Sequence, residues 1–321
     1  VLDEAQRCPA LFSYLQGLVD SDRRPGRFVL TGSQQFGLLT GVSQSLAGRV
    51  GLLQLLPFSL GEIADSAAPA SMEDLLFAGL YPPVRDRNPP PHVWYADYTA
   101  TYIERDVRQM VNVRDLSAFR RFLRMCATRT GQTVNLSALA ADCGITHNTA
   151  AAWLSVLEAS YLVFRLPPYF RNFGKRLVKT PKLYFLDPGL AAWLAGVRSA
   201  NDLRHGPMRG SLFETWVVAE VVKRINHHLL PLQTFYWRDS AGHEIDVLVE
   251  REERLLLLEC KAGVTAAADW FSPFEHHVDL LEAASGLLVF GGEGTYRRGR
   301  IEVFGWRAID KALDLMLGEG A

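Results

Sequence analysis

Apolar and polar positions along this chain repeat with two periods. Leu11, Tyr14, Leu15, Leu18 and Val19 are spaced as on one face of a helix, and the turn Asp22-Arg23-Arg24-Pro25-Gly26 closes it. Val1-Leu2 before it reads as the end of a buried strand. Arg27–Leu30 after it reads as a central parallel strand that runs into Thr31-Gly32-Ser33. Strand, helix and strand at this spacing predict a βαβ unit. Residues 82–92 hold five of the sixteen prolines, which predicts a semi-rigid linker or irregular lid. A helix carrying Trp94, Tyr95, Tyr98, Tyr102 and Ile103 follows, and then one burying Phe119, Phe122, Leu123 and Cys126.

Further on, Asn135 and Thr146 are placed to cap two short helices separated by Gly144, with Ala150, Trp153, Leu154 and Leu157 facing inward on the second. Strands in Tyr161–Leu166 and Lys182–Leu186 would add a hairpin wing to this helix-turn-helix spacing. Asp187-Pro188-Gly189 opens another helix, and a long one begins at Gly210. Alternating or continuous apolar runs then predict strands over 233–238, 243–249, 255–261 and 286–290, with a helix over about 273–284 and an exposed glycine-rich turn over 291–300.

Composition places these elements in a folded, multidomain protein. Of 321 residues 48% are hydrophobic and 21% charged, so a core can form in each part. Net charge is −1, but it is uneven: −3 over residues 1–100, +7 over 101–180 and −5 over 181–321. A basic middle between acidic flanks points to a polyanion contact there. Arg120, Arg121, Arg124, Lys175 and Arg176 would neutralise phosphates, and Thr146, His147 and Asn148 would lie at the start of a recognition helix. The expected DNA binding is weak, nonspecific and salt-sensitive. The other reading is a scaffold that packs or contacts a protein partner or a second copy, since Ala150-Ala151-Ala152 reads bases poorly.

Cys8, Cys126, Cys143 and Cys260 show no CxxC spacing, which fits a reducing cytosol and a cytoplasmic protein. No apolar run of membrane-spanning length occurs, so no membrane partner is expected. The chain opens at Val1, without a signal peptide, and is expected to continue a longer protein upstream.

Two constellations carry candidate chemistry. Asp3 and Glu4 end a strand at the place where α/β sheets bind ligands, with Thr31 and Ser33 at the tip of the next strand. Asp3 would hold Mg²⁺ through water and Glu4 would orient a hydrolytic water, although the dipeptide alone could equally start a helix. In the C-terminal third, Asp246, Glu259 and Lys261 interrupt apolar strands. Charge in such places is costly unless it is paired or holds a metal. Glu259 and Lys261 share a strand face with Cys260 opposite, and a hairpin would set Asp246 beside Glu259. Glu214 on the preceding helix supplies a third acid for a Mg²⁺ site. The remaining histidines have no ligand spacing.

The segments LDEAQRCP, FVLTGSQQF and SLAGRVGLLQLLPFSLGEI, with TYIERDV further on, resemble a bacterial and archaeal family of AAA-type P-loop ATPases with a C-terminal region of unknown function. The resemblance implies ATP and Mg²⁺ as cofactors. It implies Asp3 at the metal position, Glu4 as the catalytic acid, Ser33 as the sensor and Arg49 as a nucleotide-contacting arginine. The family's G-x-x-x-x-G-K-[ST] loop is absent from these residues, so the expectation is that ATP does not bind this chain usefully. The ordered set Glu214, Asp246, Glu259-Cys260-Lys261 resembles the PD-(D/E)xK nuclease superfamily, without the Pro of its first motif. That implies metal binding by Glu214, Asp246 and Glu259 and catalysis by Asp246, Glu259 and Lys261.

The fold class expected is therefore α/β multidomain. Residues 1–85 would be the second half of an AAA-type parallel-sheet core, 93–185 an all-α/winged-helix middle, and 186–321 a mixed α/β restriction-endonuclease-like domain. The expected function is an AAA-type ATP-binding protein coupled to a DNA-associated, nuclease-like domain. The alternative is a nucleotide-switched interaction protein whose nuclease fold is inactive.

Overall fold

The computed structural model describes residues 1–32, 42, 45–63, 65–103, 115–169 and 180–318. Leu2 and Leu30 pair in parallel across helix α1 (Pro9–Ser21), so the first strand–helix–strand unit forms where the pattern places it. Its apolar stripe, Phe12 and Leu15, packs with Ala5, Val42 and Leu46 in a small cluster of its own. From Val50 to Leu55 the chain forms neither helix nor strand, with Leu52, Leu53 and Leu55 exposed.

Three helices follow: α2 (Met72–Ala78), α3 (Pro82–Asp86) and α4 (Pro91–Tyr98). The proline-rich stretch is thus not simply a linker. Prolines at the first turns of α3 and α4 start helices there, because that turn needs no proline N–H and its φ suits the ring. Tyr81, Trp94 and Tyr98 stack over this corner, the last two with ring centres 4.9 Å apart.

The basic middle folds as α5 (Leu116–Thr128), β1 (Gln132–Thr133), α6 (Leu136–Cys143), α7 (His147–Ala159), β2 (Val163–Leu166) and β3 (Lys182–Phe185). The antiparallel sheet has the order β1-β3-β2. Both expected caps are made: Asn135 accepts from the Ala138 N–H and Thr146 from the Thr149 N–H. Gly144 takes the left-handed conformation that ends α6.

Helices α8 (Pro188–Leu194) and α9 (Ala200–His205) lead to the long α10 (Arg209–His227). Then come β4 (Thr234–Arg238), β5 (Glu244–Arg251), β6 (Arg254–Lys261), α11 (Phe271–Leu280), β7 (Ser285–Phe290), β8 (Thr295–Arg298), β9 (Ile301–Gly305) and α12 (Ile309–Leu317). The mixed sheet has the order β4-β5-β6-β7-β9-β8, with β6, β7 and β9 parallel. The glycine-rich stretch after β7 is a hairpin that joins the sheet edge. Among the described residues no helix is long and apolar enough to cross a membrane.

One core runs through the middle and C-terminal regions. Phe122, Trp153 and Leu157 belong to the same cluster as Phe213, Trp216 and Val217 of α10, Val247 and Leu258 of the sheet, and Ile309 and Met316 of α12. The other sheet face packs Ile245, Leu257 and Leu288 under Phe271 and Phe274 of α11. A buried ion pair docks the segment after Leu55 onto this body. Lys223 Nζ lies 3.0 Å from Glu220 Oε1 and donates to the Phe58 carbonyl at 2.7 Å, while Glu220 accepts the Leu60 N–H at 2.9 Å. A Cβ at Gly61 would lie 2.6 Å from the Asp310 carboxylate, so a side chain there would have to displace Asp310 from Arg224.

Asp187 is the buried hub of the middle. It caps α8 through the Leu190 N–H (2.7 Å), accepts the Tyr95 hydroxyl (2.7 Å) and accepts the Leu80 N–H (2.6 Å). Gly79 beside it has φ 71°, and a Cβ there would strike both Asp187 and Tyr95. Asp187→Ala is expected to cost about 2–3 kcal/mol, because a cap is lost and the buried Leu80 N–H goes unpaired, while the Tyr95 hydroxyl keeps the Ala78 carbonyl at 2.9 Å. Asp187→Asn, which keeps an acceptor, should cost less; urea unfolding of the two variants checks this order.

Candidate functional site

Three segments meet at one buried group of charges. Strand alternation puts Lys182 and Tyr184 of β3 on the same face, turned toward α10. Helix α10 is apolar on most of its surface, and Glu214 is an acid set into it, half-buried. From β5 come Glu244 and Asp246. Between the pairs Phe235–Leu248 and Trp237–Ile245, β5 carries one residue more than β4. Such a bulge re-aims side chains. Here it returns Ile245 to the α11 face while Asp246 turns to the side of Val247, Tyr236 and Lys182.

Lys182 Nζ pairs with Glu214 Oε1 at 2.8 Å, with Glu244, and with Asp246 Oδ1 at 3.9 Å. Its side chain is 2% exposed. It lies over the Tyr236 ring, 5.5 Å from the centre. The Tyr184 hydroxyl donates to Glu214 at 2.6 Å, and the Cys260 N–H donates to Asp246 at 2.8 Å. Each of Glu214, Glu244 and Asp246 offers a carboxylate oxygen within 4.8 Å of the others.

Electrostatics follow from this packing. Burial, and then repulsion from Glu259 and Glu214, hold the Asp246 carboxyl well above the usual range against the pull of Lys182. Burial would lower Lys182, but Glu214, Asp246 and Glu244 together raise it, so it stays an ammonium. Burial, with Asp246 and Glu214 nearby, pushes the Cys260 thiol well up and keeps it protonated. Burial raises Glu259 although Lys261 opposes it.

The structure places Glu259 and Lys261 differently from the other acids. They pair with each other at 2.6 Å. Their parallel partners Leu288 and Phe290 belong to the α11-face core, whereas Cys260 follows Leu256 and Leu258 onto the α10 face. Asp246 and Glu214 therefore share a cluster with Glu244 and Lys182, while Glu259 and Lys261 occupy the other side of β6 and act on that cluster only through their charge. Lys182, Tyr184 and Glu244 were absent from the sequence-derived site. The available signal was a lysine and an acid set inside otherwise apolar runs, in Lys182–Phe185 and along α10.

At the N-terminus, Asp3 accepts the Thr31 hydroxyl, which joins the two strand tips. Glu4 has φ 51° and pairs with Arg7 at 3.2 Å. Arg49 makes a two-pronged contact to Asp20 at the far end of α1 from Glu4. Ser33, Lys175, Arg176 and residues 104–107 of the TYIERDV segment lie outside the described residues. In the middle, Arg120, Arg121 and Arg124 are exposed on α5, and His147 and Asn148 are exposed at the start of α7. The Thr146 hydroxyl is engaged in its cap, and Arg121 reaches the Cys143 carbonyl at 3.5 Å.

Glu214, Glu244 and Asp246 bring carboxylate oxygens close enough to hold a metal, but a lysine ammonium stands among them, and Glu259, which the nuclease resemblance implies as a ligand, is paired with Lys261 instead.

The raised Asp246 sets a pH dependence. Its proton is held more tightly folded than unfolded, so stability falls as pH rises from the unfolded value near ~4 toward the folded one. Lys182 contributes no slope there, since it is charged in both states at those pH values. Asp246→Asn should lessen the decline, leaving the part due to Glu259 and Glu220, whose carboxyls burial also raises. Its stability relative to wild type should therefore grow between about pH 4 and 7, by at most about 1.4 kcal/mol per unit; denaturant unfolding across that range measures it.

Comparison with known proteins divides the chain in three. Residues 1–64 match the model of an AAA domain family, 69–201 a domain of unknown function (DUF8612) and 209–309 a second domain of unknown function (DUF4143). Uncharacterized protein Rv2008c of Mycobacterium tuberculosis is 34% identical over 266 residues, as is uncharacterized protein Mb2031c of Mycobacterium bovis. The match covers 82% of this chain and 58% of each relative, so the chain spans little more than half the length of these proteins. Among solved structures, protein VC1899 from Vibrio cholerae aligns at 14% identity and a TM-score of 0.27, over 98% of this chain and 82% of that one. The chain thus carries an AAA-domain segment followed by two regions similar to families of unknown function, in the order in which its three parts fold.

Proposed function

We propose that this chain is the effector-bearing part of an AAA-type, nucleotide-switched interaction protein whose nuclease-like C-terminal domain binds rather than cleaves. The observation that carries this reading is the continuity of the core. The described residues between 72 and 317 share one large core through α10, whereas the AAA segment has its own small cluster. Between them lie the exposed stretch Val50–Leu55 and the Glu220–Lys223 socket. A nucleotide-dependent movement of the first part would then carry the second as a unit. In that body the middle is a winged-helix module. Its exposed face, with Arg120, Arg124, His147 and Asn148, suits weak, salt-sensitive contact with a polyanion such as DNA, or with an acidic protein.

Limited proteolysis tests the two-body reading. Cleavage is expected first within residues 50–56, leaving a protected fragment that contains both later regions. Early cuts between residues 195 and 209, releasing the middle from the C-terminal region, would contradict it. The competing reading, a Mg²⁺-dependent nuclease, is separated by plasmid nicking. Wild type should cut no faster than Asp246→Ala or Lys261→Ala, and metal-dependent nicking lost in both variants would favour the enzyme.

A further inference from the structure

We propose that Lys182 is the resident cation of the nuclease-like domain: the middle region supplies, as a side chain, the positive charge that this arrangement of carboxylates would otherwise take from a divalent metal. The proposal deepens the reading of a non-cleaving domain. It does not depend on whether the protein binds nucleotide or DNA.

The acids and the cation come from different segments. Glu244 and Asp246 belong to the six-stranded sheet and Glu214 to the helix packed on it, while Lys182 belongs to the separate three-stranded sheet. The ammonium contacts an oxygen of all three acids, and its side chain is 2% exposed. It donates a hydrogen bond to Glu214 at 2.8 Å and holds the other two acids as ion pairs. The Tyr184 hydroxyl adds a neutral donor to Glu214. The strand that carries Lys182 is itself pinned beside the acids. The Tyr236 hydroxyl of β4 donates to the Thr180 carbonyl, and Pro168 bridges to Tyr236. Tyr184, Tyr236 and Asp246 around it are each 8% exposed or less, while Glu214 and Glu244 keep 20% and 25% of their side-chain surface. The cluster therefore also works as a lock between the middle and C-terminal regions.

The arrangement gives a test with a sign. Removing the ammonium leaves three carboxylates close together with no counter-charge, a hard-oxygen set suited to a divalent cation. Calorimetric titration with Mn²⁺ alone, at millimolar metal and neutral pH, is applied to the wild-type chain, Lys182→Ala and Lys182→Ala/Glu214→Gln. Wild type is expected to show no binding that depends on Glu214. Lys182→Ala should bind more than tenfold tighter than wild type, and the double variant should lose that gain. Thermal unfolding of the same samples covers a poorly folded variant, since Mn²⁺ should then raise the melting temperature of Lys182→Ala and not that of the double variant. Two results overturn the proposal. One is wild-type Mn²⁺ binding that Glu214→Gln abolishes. The other is a Lys182→Ala chain that neither binds Mn²⁺ more tightly nor is stabilised by it.

Discussion

A single buried ammonium organises the chemistry of this molecule. Lys182 has lost nearly all its water, and an unpaired charge in such a place would cost several kcal/mol or more. Its position is acceptable only while Glu214, Glu244 and Asp246 surround it, and theirs only while Lys182 is present. That mutual dependence fixes the approach of β3, α10 and β5 to one another more sharply than apolar contacts, which tolerate small shifts, can do. It also accounts for the protonation pattern. The lysine keeps its proton, and Asp246, crowded by acids on both sides of the sheet, holds its own well above the ordinary carboxyl range.

Helix α10 is the element through which the parts of the chain communicate. Near its start Glu214 belongs to the lysine cluster, and two turns later Glu220 and Lys223 receive the backbone of Phe58 and Leu60. The next residue, Arg224, reaches Asp310 and Asp314 of α12. Between these charged stations the helix buries Phe213, Trp216, Val217 and Val221 in the shared core. The middle and C-terminal regions are thus held together both by apolar packing and by ion pairs that tolerate little misalignment. Among the described residues, the AAA segment docks on this body through Phe58, Leu60 and Ile63.

This architecture bears on function through what it joins and what it separates. The βαβ unit at the start brings Asp3 and Thr31 together as a nucleotide-binding sheet would, while Arg49 is held by Asp20 at the other end of α1. In the C-terminal sheet, Glu259 pairs with Lys261, and Lys182, a cation from another region, stands among Glu214, Glu244 and Asp246.

Much of this was legible in the order of residues. Apolar period, capping side chains and turn residues located α1, the capped helices α6 and α7, the opening of α8 at Asp187, and strands β4 to β7, because each depends on neighbours within a few positions. The AAA kinship of the first segment was readable for the same reason. Prolines over 82–92 misled, since the residue that breaks a helix interior also starts one, and only packing against α8 and the Tyr95–Asp187 contact selects between the two. The site was half legible. Strand alternation correctly grouped Glu259 with Lys261, but the face they share depends on which helix covers it, and one bulge in β5 decides where Asp246 points. Lys182 is 32 residues from Glu214 and 64 from Asp246 along the chain. Its partnership with them exists only because two separate sheets meet across α10, and a contact of that kind is set by tertiary packing and leaves no local pattern behind.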